Sequence, residues 1–282
     1  PNPVTGPAAG QLFELVVKPD ALNSSNDDAA LVRRFSGMDR LYGVNGGASV
    51  RAAHVVVVGI GGVGSWAAEA LARSGIGRIT LIDMDHIAES NINRQVHAVT
   101  PTLGMAKVTA MQERIALINP CCQIQSIDAF VDDDNWPFIL PAGVDAVIDA
   151  CDQVRAKTAM ADWARKTKVP FITVGAAGGK RHAHKVDITD LSATTHDPLL
   201  AQVRYRLRKF HRAPQGGKKM GVACVFSAEA VQAADASCQV QADSTLNCHG
   251  YGSVVSVTAT FGLCAAGWVI DKISGLCKTV DK

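Results

Sequence analysis

The stretch HVVVVGIGGVG at 54–64 constrains this chain more than any other. Four consecutive valines are apolar and β-branched, which suits a strand buried on both faces. They run straight into glycines at 59, 61 and 64, and a helical pattern follows over 63–74. Each glycine of G-x-G-x-x-G at such a junction has a physical use. Gly59 permits the tight turn, Gly61 lets a phosphate approach the backbone, and Gly64 lets helix and strand pack closely. The helix N-terminus adds free N–H groups and partial positive charge. RITLID at 78–83 reads as the next strand, and it ends in Asp83, where an acid can hold ribose hydroxyls.

The pattern continues with strands at 123–127, 145–150 and 170–174 and helices at 104–118 and 153–167. INP at 118–120 closes one helix, because proline cannot continue it. With right-handed crossovers this is an α/β chain: a Rossmann-like, doubly wound, mostly parallel sheet. After Val174 the character changes to a C-terminal α+β extension. GAAGGK (175–180) reads as a mobile loop and HKVDITDL (184–191) as an edge strand. A basic helical stretch, a strand at 221–227, a polar linker around 228–250 and an apolar last helix complete it. At roughly 150 residues per domain, 282 residues without a repeat or clear linker imply one large domain. We expect a flexible tail over 1–30 and a single unit over 31–282. In it, 31–180 would be the nucleotide-binding core.

The glycine motif alone suits a dinucleotide enzyme, but the residues behind it do not. Asp85, Asn91, Asn93, Arg94, Gln95 and Lys107 crowd polar and cationic groups beside the turn. Arg94 and Lys107 suit a triphosphate and charge passing onto a pyrophosphate leaving group, which a hydride transfer does not need. Taken singly, Lys107 also reads as a solvated helix residue and Arg94 as a surface salt bridge. DACDQ places Asp149, Asp152 and Gln153 at the carboxyl end of a strand, where ligands sit in such sheets. Asp152 reads either as a Mg²⁺ ligand or as the N-cap of the following helix.

The net charge is only +2, so any nucleic-acid footprint must be local. One segment qualifies. QVRYRLRKFHRAPQGGKK (202–219) carries Arg204, Arg206, Arg208, Lys209, Arg212, Lys218 and Lys219 without an acid, with Tyr205 and Phe210 interleaved. Such cations neutralise phosphates and such aromatics stack unpaired bases; the same segment also reads as a solvated basic helix or a face for an acidic protein. Arg181, His182, His184 and Lys185 would widen the patch. The eight cysteines form no Cys-x-x-Cys pair, so no zinc site is expected. Cys224 reads as core, while Cys238 and Cys248 fall in the polar linker. A reducing compartment and no visible secretory signal point to the cytoplasm. Residues 251–270 carry no charge and are long enough to span a bilayer, yet their serines, threonines and glycines favour a buried or interface helix over peripheral membrane contact.

Taken in order, GIGGVG, LIDMD, the N-x-x-R-Q of NINRQ (91–95), Lys107 and DACDQ resemble the ubiquitin-activating-enzyme superfamily, which includes bacterial adenylyltransferases. The resemblance implies ATP-dependent adenylation of a carboxylate, with Asp83 on the ribose, Arg94 and Lys107 on the phosphates, Asp152 on Mg²⁺, and Asn91 and Asp85 lining the pocket. RFSGMDRLYG (34–43), GVACVFSAEA (221–230) and VTATFG (257–262) narrow the likeness to the tRNA threonylcarbamoyladenosine dehydratase branch. That likeness implies a homodimeric ligase-type enzyme acting on tRNA, with 181–282 as its substrate-binding and dimer-forming part, linked to a cysteine-desulfurase and sulfur-acceptor pair. Gly37 stands where related activators have an arginine that enters the partner subunit's site, which leaves Arg34 or Arg40 for that role. Activation of a small ubiquitin-like or sulfur-carrier protein stays open as the alternative.

Overall fold

The computed structural model describes residues 24–233, 235 and 251–275. Its strands are β1 (His54–Val58), β2 (Arg78–Ile82), β3 (Gln123–Ile127), β4 (Ala146–Asp149), β5 (Phe171–Val174), β6 (Val186–Asp190) and β7 (Ala223–Ser227). These seven form one sheet in the order β3-β2-β1-β4-β5-β7-β6. All neighbours pair in parallel except β6 with β7. The expected strands therefore form within two residues of their predicted bounds, and β6 is indeed an edge strand. Because β5 pairs with β7, the C-terminal part extends the same sheet.

The helices are α1 (Ser24–Ala52), α2 (Gly64–Arg73), α3 (Lys107–Ile118), α4 (Val154–Thr167), α5 (Pro198–Phe210) and α6 (Val255–Ser274). β1 shows why they must cover both faces: all five of its residues are buried. Val55 and Val57 join a core with α2, α3 and α6, whereas Val56 and Val58 join one with α4 and α5. That alternation is the period of two of a strand.

Two expectations change. The helix α1 begins at Ser24, inside the segment read as a tail; residues 1–23 lie outside the described residues. The loop 175–180, read as mobile, is tied down. Lys180 is buried and its ammonium donates to the carbonyls of His196, Ser227 and Glu229. The Asp197 carboxylate also accepts the Ala176 N–H at 2.9 Å.

The apolar last helix packs against α2, and α1 packs against it in turn. A Cβ at Gly262 would collide with the Val63 carbonyl and lie 2.8 Å from the Ala67 nitrogen, so only glycine allows this approach. Val257, Phe261, Ala265, Ala266 and Val269 are fully buried there. This is the buried helix of the two readings, and among the described residues no helix is long and apolar enough to cross a membrane. Cys224 is likewise in the core, where burial holds its thiol pKa well above the ordinary value. Cys238 and Cys248 lie outside the described residues.

Candidate active site

The sheet order reverses between β1 and β4, the switch point at which open sheets of this kind form their ligand crevice, outside the carboxyl ends of the strands. The glycine turn after β1 lies on the DACDQ turn after β4. Gly59 has φ +84°, and a Cβ on it would sit 2.8 Å from the Cys151 nitrogen. A Cβ at Gly64 would strike the Gly59 carbonyl oxygen. At Gly61 a Cβ would meet nothing within 4 Å, so its backbone faces open space where an anion can approach.

Asp83 follows β2 and is buried. Its carboxylate accepts the Ile60 N–H of the glycine turn at 2.5 Å and the Asp85 N–H at 2.8 Å. Burial raises its pKa, against the pull of Lys107 and these two N–H donors. Lys107 opens α3 with its ammonium 2.6 Å from Asp85 and 4.0 Å from Asp83. It is buried, which removes the solvated-helix reading. A lysine with two carboxylate neighbours at a helix N-terminus is a fixed cation at the mouth of the turn.

Arg94 comes from the loop before it. Its guanidinium donates to the Ser90 carbonyl at 2.7 Å and to Asn93 Oδ1 at 2.9 Å. Its stem lies against the glycine turn, 3.2 Å from where a Cβ of Gly62 would be. The loop is clamped from both sides: Trp66 Nε1 donates to the Arg94 carbonyl at 2.9 Å, and Asn93 Nδ2 donates to the Ser253 carbonyl at 3.0 Å. Asn91 serves this loop too, its Oδ1 accepting the Ala88 N–H at 3.0 Å.

Asp152 is exposed at the mouth of the crevice, and the N-cap of α4 is Gln153, one residue later, without a side-chain cap bond. Beneath it lies an arrangement that the motifs do not mark. Lys157 and Asp149 are both fully buried, 3.1 Å apart. The Lys157 ammonium also donates to Thr173 Oγ1 at 3.1 Å and to the Val174 carbonyl at 2.8 Å. Burial works to lower the Lys157 pKa, but the Asp149 carboxylate outweighs it and the net shift is upward. The other Asp149 oxygen accepts the Cys151 N–H at 3.2 Å, so the pair fixes the turn that presents Asp152. A signal for Lys157 does exist in the chain: it shares a helical face with Met160, Ala161 and Ala164, all buried.

The chemistry of this donor set fits a Mg²⁺ carried in with phosphates. Asp149 is buried against Lys157, so the exposed Asp152 is the carboxylate that would meet the metal, and magnesium usually takes one or two carboxylates plus phosphate oxygens. Among the described residues no cluster of three His, Cys, Asp or Glu side chains is placed to hold a metal alone.

Residues 36–281 match the ThiF family. The chain belongs to the ThiF family. Within this family, a tRNA threonylcarbamoyladenosine dehydratase of Haemophilus influenzae is 45% identical over 86% of this chain and 93% of the relative. The crystal structure of the Escherichia coli tRNA N6-threonylcarbamoyladenosine dehydratase with ATP superposes with a TM-score of 0.79 at 43% identity, covering 88% of this chain and 96% of that one. A molybdopterin-synthase adenylyltransferase of Salmonella typhimurium is 36% identical, but over only 49% of this chain and 55% of its own length. This ThiF-family chain therefore falls in the dehydratase branch, as the motifs at 34–43, 221–230 and 257–262 led us to expect.

The structure thus brings Gly59, Gly61, Gly64, Asp83, Asp85, Asn91, Arg94, Lys107 and Asp152 to one crevice. The basic segment is elsewhere, on α5 and the loop after it, and it is not uniform. Arg204 turns inward to the carbonyls of Leu191 and Thr194, and Arg208 Nε donates to the Pro214 carbonyl at 3.3 Å. Lys209, Arg212, Lys218 and Lys219 are exposed. Arg181, His182, His184 and Lys185 are exposed as well, but 183–185 packs against α6, on the face of the sheet opposite α5, so they do not widen that patch. Arg34 donates to the Ile118 carbonyl at the far end of α3, away from Lys107 at its start.

One buried group near the site predicts a pH dependence. His97 is 2% exposed and, among the described residues, neither ring nitrogen has a partner. Burial, with Lys107 and Arg114 adding to it, lowers its pKa from 6.5 to about 4. The unfolded chain takes up this proton first as pH falls, so the stability that neutral His97 contributes is full above pH 6.5 and is lost on the way down to about pH 4. The loss is about 3 kcal/mol over that window. Urea unfolding across this range should be markedly flatter for His97→Gln than for the parent; equal slopes would rule out the assignment.

Proposed function

We propose that this protein is an ATP-dependent dehydratase of threonylcarbamoyladenosine in tRNA. The observation that carries this is the joint one: a glycine turn with Asp83, Arg94 and Lys107 gathered beside it, on a chain that is 45% identical to a dehydratase over 86% of this chain and 93% of the relative. ATP seats its phosphates on the glycine turn, with Asp83 toward the ribose and Arg94 and Lys107 toward the phosphates. Asp152 would hold Mg²⁺, which when bound screens charge between the phosphates. The threonyl carboxylate attacks the α-phosphorus, and the bond to the β-phosphate breaks. Arg94 and Lys107 stabilise the charge that passes onto pyrophosphate. The neighbouring ureido group then attacks the acyl carbon, AMP leaves with the former carboxylate oxygen, and a ring closes with net loss of water. Tethering supplies the effective concentration for that second step, so no protein nucleophile is needed.

On the same reading tRNA lies along the 202–219 segment, through Arg206, Lys209, Arg212, Lys218 and Lys219, with Arg204 and Arg208 holding the segment in shape. A homodimer is supported by exposed apolar side chains on α1 and α6, namely Val32, Leu41, Val44, Val255 and Leu263. Protein-carrier adenylation is the second reading, favoured only by the partial match to molybdopterin-synthase adenylyltransferases. The deciding experiment incubates the pure protein with ATP, Mg²⁺ and tRNA and digests the tRNA to nucleosides. Mass spectrometry should find threonylcarbamoyladenosine replaced by a product lighter by one water, only with ATP. An unchanged nucleoside pool, with adenylation of an added carrier protein, would favour the second reading.

A further inference from the structure

The two aromatic residues of α5 are not packed into the core. Tyr205 and Phe210 are 59% and 56% exposed. Single exposed aromatics are ordinary, but these two flank one cation. The Lys209 ammonium lies 5.4 Å from the Tyr205 ring centroid and 5.2 Å from that of Phe210, and the Arg206 guanidinium lies 5.3 Å from Phe210. The support behind them is fixed: Arg204 and Arg208 point inward, and Arg165 of α4 donates to the carbonyls of His211 and Met220 at the end of the basic loop.

No Asp or Glu occurs from Pro198 to Ala228. The nearby carboxylates are occupied. Asp162 meets Arg165, Lys166 and His211, and Asp190 accepts the N–H groups of Ser192, Met220, Gly221 and Val222. Exposed rings set among cations match the chemistry of a single strand, which offers base faces and phosphates together. A duplex hides its base faces, and an acidic peptide would use the cations but not the rings.

We infer that the outward face of α5 is a stacking platform: Tyr205 and Phe210 take unpaired nucleobases of the RNA substrate, and Lys209 with the cations of 212–219 meets the adjoining phosphates. This rests on the tRNA reading above and adds to it which bases are held. The N-cap of α5, Asp197, binds the Ala176 N–H at the carboxyl end of the sheet, near the crevice. At a rise of about 1.5 Å per residue, Tyr205 lies about 10 Å and Phe210 about 18 Å along the helix from its start. The stacked bases are therefore neighbours of the reacting nucleoside in the same loop, and the platform sets which unpaired loop can present it.

The test compares an RNA hairpin with an unpaired loop against a fully paired duplex of similar length. Tyr205→Ala and Phe210→Ala should each weaken hairpin binding about tenfold, leave duplex binding unchanged, and leave the salt slope as it was, because no charge is removed. Tyr205→Phe should bind as the parent does. Lys218→Glu with Lys219→Glu should instead flatten the salt slope on both RNAs. Undiminished hairpin binding by both alanine variants, or equal losses on hairpin and duplex, would overturn the platform while the parent's dehydration product left the tRNA reading standing. A parent protein that bound neither RNA and made no product would bring down the tRNA reading itself.

Discussion

Arg94→Ala is expected to slow ATP-dependent adenylation by about 100- to 1,000-fold, the scale seen when one preorganised charge donor is removed from a transition state. Folding stability should change by no more than about 0.5 kcal/mol, because the side chain is partly exposed and its stem rests on glycine backbone. Geometry is the reason for the difference. Ser90 and Asn93 hold the guanidinium, Trp66 and Ser253 hold the loop that carries it, and the stem touches the turn where phosphates would lie. That is an arginine oriented before any ligand arrives. Asp152→Ala should give a comparable loss that excess Mg²⁺ partly recovers, whereas excess Mg²⁺ should do nothing for Arg94→Ala. Pyrophosphate exchange into ATP reads both. Wild-type exchange by Arg94→Ala would remove the arginine from the phosphate site.

Asp149→Ala should cost the fold about 3–5 kcal/mol, because it leaves the Lys157 ammonium buried without its carboxylate. Thr173 and the Val174 carbonyl would still accept from Lys157, so the protein should fold at low temperature and show the loss in urea or heat. The double variant Asp149→Leu with Lys157→Met removes both charges, and it should regain most of the stability, since buried pairs are often no better than apolar replacements. Its adenylation should stay impaired, because Cys151 N–H then has no carboxylate to hold the turn beside Asp152. Recovery of both stability and turnover would mean that the pair only fills the core. A single Asp149→Ala variant as stable as the parent would mean that the buried lysine discharges at no cost.

Much of the fold was written in local pattern. Four valines followed by spaced glycines could only be a buried strand entering a close-packed helix, and the structure puts Gly59 and Gly64 where a side chain would collide. The glycines, Asp83, Lys107 and Asp152 were legible because each sits near a strand end or helix start, which periodicity locates, whereas Asn91 and Arg94 lie in a loop and were marked only by the N-x-x-R-Q spacing. What escaped was long-range. Lys157 meets Asp149 and Thr173 only once β4 and β5 lie side by side, and its helical face marked it as buried without naming a partner. The loop at 175–180 looked loose because its glycines are local information, whereas the carbonyls that hold Lys180 come from around His196 and Ser227. The arginines of α5 looked alike for the same reason, although Arg204 is turned to Thr194 and Lys209 to Tyr205.

Gly262 draws α6 onto the first turn of α2, and Ser253, just before α6, receives the Asn93 amide. Two segments nearly two hundred positions apart in the polypeptide thus share custody of one arginine. A product that stopped short of Ser253 would lose one of the two clamps on the loop that carries Arg94, and would have to find another acceptor for the Asn93 amide.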